Sequence, residues 1–193
     1  METRFQYNTA RSMALVGAGA WLLLAVAWQA SNTLEQTRDW EGLPQALFFV
    51  GLIGLLVGGL AFGGMALDPM APVARPRWKV GGLVLLAVGL ALSFIVGWAV
   101  PAWAAVYGMS MLSLAWSGAL RAEGWIIGGA LVAATVAFFA LTALEVGPVD
   151  SYGDYRVAWV TATWLAALGS AAGLFIHSRS LAQGRDTAEA SRI

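Results

Sequence analysis

Between Lys79 and Arg121 the chain carries no charged side chain over 41 residues. As one helix this run would measure about 60 Å, twice the roughly 30 Å of hydrocarbon in a bilayer. It must fold back on itself. Pro101 marks the place, because proline donates no backbone hydrogen bond and disfavours helical geometry at the preceding Val100. Trp98 and Trp103 flank it, as expected of indoles resting at a membrane–water interface. The run therefore reads as two spans, 80–100 and 102–120, joined by a tight hairpin.

Four further stretches reach or approach span length: 13–30, 46–67, 124–144 and 157–176. Only 11% of the residues are charged against 59% hydrophobic, and a soluble domain carries about 25% charged residues to cover its surface. Lipid is the solvent this composition fits. The expected fold class is all-α: a polytopic transmembrane helical bundle of about six spans, with residues 1–177 as a single transmembrane domain. Residues 178–193 form a polar cytoplasmic tail, mobile beyond its first turn. The first span has a competing reading as a cleaved signal peptide, with Arg4 and Arg11 before a short apolar core and Ala25-Val26-Ala27 as the cleavage site. Trp21, Trp28 and a topology that needs no cleavage stand against it.

Orientation follows from Lys and Arg. With the amino terminus inside, the inner segments hold Arg4, Arg11, Arg75, Arg77, Lys79, Arg121, Arg179, Arg185 and Arg192, whereas the outer loops hold only Arg38 and Arg156. Both ends are thus expected in the cytoplasm. The excess of positive charge there should favour anionic lipid headgroups. The absence of cysteine and of glycosylation sequons fits the plasma (inner) membrane of a prokaryote.

Several chemistries are disfavoured. A formal net charge of zero gives no nucleic-acid footprint. Without cysteine there is no thiolate nucleophile or thiolate metal ligand, and His177 is the sole histidine, so no metal site and no cofactor is expected. Catalytic residues are likewise expected to be none. Gly17-Ala18-Gly19 lies inside an apolar span without nucleotide-loop context. No ionisable residue falls in the middle of a span, which argues against a proton- or ion-coupled carrier.

Two features address the helices themselves. Tyr107, Ser110, Ser113, Ser117 and Arg121 share one face of the fourth span. They would either line a narrow polar pathway or, as serines commonly do in apolar helices, bond their own helix and pack against a neighbour. Gly54/Gly58, Gly59/Gly63, Gly124/Gly128 and Gly169/Gly173 have the small-xxx-small spacing of close helix contact, within the chain or across a homodimer.

Outside, Glu35, Asp39, Glu41, Glu145, Asp150 and Asp154 read as solvated loop charges, with a hard-cation site as the sharper alternative. Trp40, Trp78, Trp98, Trp103, Trp125 and Trp159, with Tyr152 and Tyr155, read as aromatic belts, and His177 as an interfacial residue. The sequence thus points to a non-catalytic integral membrane protein, an accessory or scaffold subunit whose partners are membrane lipids and another membrane protein or a second copy of itself. The alternative is a small neutral-solute channel or permease.

Overall fold

A computed structural model describes residues 2–37, 42–67, 75–95, 100–149 and 156–190. They form six helices and, among the described residues, no β-strand: α1 (Glu2–Thr37), α2 (Leu43–Ala66), α3 (Pro76–Ile95), α4 (Val100–Ser117), α5 (Ala122–Ala143) and α6 (Arg156–Ala190). Five of the six are long and apolar enough to cross a membrane; α4, the carrier of Tyr107 and three serines, is the exception.

The helix ends have local causes. Gly42, at φ +82°, precedes α2, whose first turn contains Pro44, where a missing N–H costs nothing. Pro101 has the same role in α4. The hairpin expected around it would fall on residues 96–99 with Trp98, which lie outside the described residues. The α4 helix stops at Ser117, earlier than the expected 120, because Gly118 adopts φ +80°. The N–H of Ala119 then reaches the Leu114 carbonyl at 3.0 Å and that of Gly118 the Ala115 carbonyl at 3.1 Å. These two bonds are the Schellman closure that satisfies the last free carbonyls of a helix. The α5 helix ends in the same way, with Glu145 at φ 53° in the left-handed position and the Val146 N–H on Leu141.

Each helix packs antiparallel against its sequence neighbour, and α6 returns to α1, so the six close into a ring. The α2–α3 seam is the thinnest. The beginnings of α1, α3 and α5 share one end of the bundle with the ends of α2, α4 and α6; we call this the proximal end and the opposite one distal.

The seams are built on glycine, since helices in lipid gain little from the hydrophobic effect and depend on close approach. Along α1–α2, a Cβ on Gly51 would stand 2.5 Å from the Trp28 ring, one on Gly54 2.7 Å from the Ala20 carbonyl oxygen, and one on Gly58 2.6 Å from the Trp21 indole nitrogen. The 7-residue step from Trp21 to Trp28 thus matches the step from Gly58 to Gly51. The ring is filled by Trp21 stacked on Phe62 at 5.3 Å, with Tyr107 edge-on to both at 6.4 and 5.9 Å.

Three expectations are corrected. Trp103 is not at an aqueous interface but 1% exposed in the core. Trp159 likewise belongs to an internal aromatic chain with Trp28, Phe48 and Phe138. The polar tail does not leave helix after one turn: α6 runs on to Ala190. Leu181, 2% exposed, anchors its first part, and Ala182, Gln183, Arg185, Ala188 and Glu189 are good helix formers.

Candidate functional site

The polar face of α4 was the first place to look for a site, and its hydroxyls prove to be engaged. Ser110 Oγ donates to the Tyr107 carbonyl at 2.7 Å, and Ser117 Oγ to the Leu114 carbonyl at 2.7 Å. Ser113 Oγ reaches across to the Trp78 carbonyl of α3 at 2.6 Å. The Tyr107 hydroxyl lies 3.3 Å from Ser93 Oγ of α3, and Ser93 in turn donates to Gly89 at 2.9 Å. Tyr107, Ser93, Ser110 and Ser117 are buried. Arg121, the last member of the face, is exposed before α5. A hydroxyl that gives its proton to a helix carbonyl is satisfied without water; here the bonds tie α4 to itself and to α3.

The glycine faces are placed as follows. Gly54 and Gly58 meet α1, as described. Gly59 meets the Tyr107 hydroxyl, where a Cβ would stand 2.7 Å from the oxygen. Gly63 has open space before it. Gly124 and Gly128 face Leu120, Ala115 and Leu112 around the α4–α5 turn and seam; Gly169 and Gly173 face Ala130 and Ile127 across α5–α6.

Sequence reasoning missed one pair. Glu123, one residue before the expected span 124–144, sits in the first turn of α5 and is 5% exposed; His177 of α6 is 6% exposed, and its Nδ1 lies 3.3 Å from Glu123 Oε1. Glu123 thus has two favourable partners, the imidazole and the positive end of the α5 dipole. The signal was present as helix register. Once Gly173 opposes Ile127 and Gly169 opposes Ala130, an antiparallel pair carried one further turn brings residue 177 to residue 123. Without knowing where the α5–α6 hairpin turns, the two looked unrelated.

At the distal end Arg156 donates to the Asn32 carbonyl at 3.0 Å, and Ser31 Oγ to the Pro44 carbonyl at 2.8 Å, fastening α6 and α2 to the end of α1. Trp164 donates to Gln29 Oε1. Of the outer carboxylates weighed as a cation site, only Glu145 has a described side chain, and it is exposed. Among the described residues no three His, Asp or Glu side chains stand together as a metal site.

Charge is divided between the two ends. Of the side chains described, Arg11, Arg75, Arg77, Lys79, Arg121 and Arg179 belong to the proximal end, where the carboxylate is the buried Glu123. The distal end holds Arg156 and the exposed Glu145. Compared with known protein families, with curated proteins and with solved structures, the chain matches none.

Proposed function

We propose that this chain is a non-catalytic integral membrane protein that crosses a prokaryotic plasma (inner) membrane six times with both ends in the cytoplasm. It acts there as an accessory or scaffold subunit that presents its outer helix faces to lipids and to a membrane-protein partner or a second copy. The observation that carries this reading is where the intramembrane polar groups spend their bonds. The hydroxyls of Tyr107, Ser110, Ser113 and Ser117 are directed to helix carbonyls or to Ser93. The ring interior at that level is filled by Trp21 and Phe62. A solute pathway along α4 would have to break those bonds and displace those rings. The gathering of basic side chains at the proximal end supports the orientation, since Lys and Arg are enriched on the cytoplasmic side. The same positive end, and the absence of a nucleic-acid footprint, support lipid rather than nucleic acid as the partner.

Stopped-flow swelling of proteoliposomes tests the role. The accessory reading expects glycerol and urea to enter protein-containing vesicles no faster than empty ones. Accelerated entry that Ser113→Leu with Ser117→Leu removes, in a protein that still folds, would replace this reading with the neutral-solute channel.

A further inference from the structure

Three tryptophans that face outward lie at the proximal end: Trp78 on α3, Trp116 on α4 and Trp125 on α5, 51, 56 and 47% exposed. They are brought together by contacts already in the fold. The Trp78 carbonyl accepts from Ser113, one turn from Trp116, and the Trp116 and Trp125 rings meet edge to face at 6.2 Å. Elsewhere among the described residues the outward-facing aromatic side chains are phenylalanines, Phe49, Phe139 and Phe175, whereas the outward-facing tryptophans gather in this sector.

Basic side chains are interleaved with these rings. Arg77 and Lys79 flank Trp78 in the first turn of α3, Arg75 precedes that turn, and Arg121 precedes α5. The Arg75 N–H bonds the Ser117 carbonyl at 2.8 Å, which holds the start of α3 against the end of α4 and so places both groups side by side. Arg75, Arg77 and Arg121 are exposed. The carboxylate nearest in sequence, Glu123, is turned inward and engaged with His177. Its pairing inside the bundle leaves the described surface of this sector cationic.

We propose that the proximal sector of α3, α4 and α5 is a binding site for anionic phospholipid, whose phosphate is held by Arg75, Arg77, Lys79 and Arg121 while Trp78, Trp116 and Trp125 seat the glycerol and upper acyl region. The chemistry is complementary on both counts. Guanidinium groups hold phosphate oxygens in paired, charge-assisted hydrogen bonds, and indoles favour the depth at which headgroup gives way to hydrocarbon. Lys79 is half-buried beside Trp78, a position from which its stem packs on apolar surface and its ammonium reaches the headgroup layer. The proposal narrows the lipid partner of the preceding section to one class and one sector. It rests on the chain being a membrane protein and is independent of the accessory role.

The test uses the full-length protein in vesicles of equal parts phosphatidylglycerol and phosphatidylcholine, extracted in mild detergent, with retained lipid read by native mass spectrometry. Wild type is expected to retain phosphatidylglycerol over phosphatidylcholine. R75Q/R77Q/K79Q/R121Q should lose that preference by at least about fivefold, the value for a single basic residue at an anionic surface. R75K/R77K/R121K, which keeps the charge but not the paired hydrogen bonds, should fall between wild type and the glutamine variant. R11Q/R179Q, at the same end but on α1 and α6, should behave as wild type. Equal retention of the two lipids by wild type, or an equal loss in R11Q/R179Q, would overturn the site. So would a companion protein that occupies the sector and excludes lipid. A channel-like result in the swelling assay would leave these outcomes unchanged, so the two readings fail separately.

Discussion

Gly54→Val should lower the stability of the bundle in detergent by about 3 kcal/mol, the upper part of the usual range for overpacked interiors. The reason lies in what a side chain there would meet. A Cβ on Gly54 would stand 2.7 Å from the Ala20 carbonyl oxygen and 3.2 Å from the Leu24 backbone nitrogen. Neither can rotate away as a side chain can, so α1 and α2 must separate. Separation would also unseat Trp21 from Gly58 and Trp28 from Gly51, because all three contacts lie on one straight seam. Gly19 supplies the control. It is a helix-interior glycine of α1 with open space before it, and Gly19→Ala should be neutral or stabilising by up to about 1 kcal/mol through helix propensity. Thermal denaturation followed by circular dichroism reads both variants. If Gly54→Val melts with wild type, the α1–α2 seam is not packed as described.

His177→Leu carries the second large effect, a loss of about 1–3 kcal/mol, the cost of leaving a buried acceptor without its side-chain partner. The carboxylate of Glu123 would remain 5% exposed with its imidazole partner gone. The companion change, Glu123→Leu in the same chain, should restore most of the loss, because two apolar side chains of suitable volume often match or exceed a buried pair. Glu123→Leu alone should fall between. A double-mutant cycle in which the two single losses simply add would mean that the residues do not act on one another. The pair would then have no part in joining α5 to α6.

Some of this architecture could be read from the sequence and some could not, for identifiable reasons. Apolar length was enough to locate six helices, because a chain in lipid must satisfy its backbone within each span. The boundaries were less legible. Gly118 ends α4 three residues early through its backbone conformation, whereas a hydropathy profile continues through Ala119 and Leu120. The tail beyond His177 carries charges that suggested an end to order, yet its alanines and glutamine continue α6.

Tryptophans were the least legible residues. Trp78 and Trp125 face outward, but Trp103 is core, and sequence position near a span end does not tell the two apart. Where α2 offers Gly58 and Gly51, Trp21 and Trp28 turn inward. The Glu123–His177 pair was hidden for a related reason: its 54-residue separation closes only when the register of the α5–α6 seam is known. The hydroxyl face of α4 was visible at once, but its bonding was not, since Ser113 alone among its serines reaches to a different helix.

The central claim is that all six helices cross the membrane, and α4 is where it is most exposed to refutation. With 18 residues it is the shortest of the six and the one not long and apolar enough to count among the candidate spans. The chain has no cysteine, so single cysteines can be introduced without background at Ala102 and at Arg121, both exposed and at opposite ends of α4. Labelling with a membrane-impermeant maleimide, in intact and then permeabilised cells, reads the side on which each lies. The account predicts that Ala102→Cys is modified in intact cells and Arg121→Cys only after permeabilisation. Modification of both under the same condition would mean that α4 does not cross, and would contradict the six-span bundle.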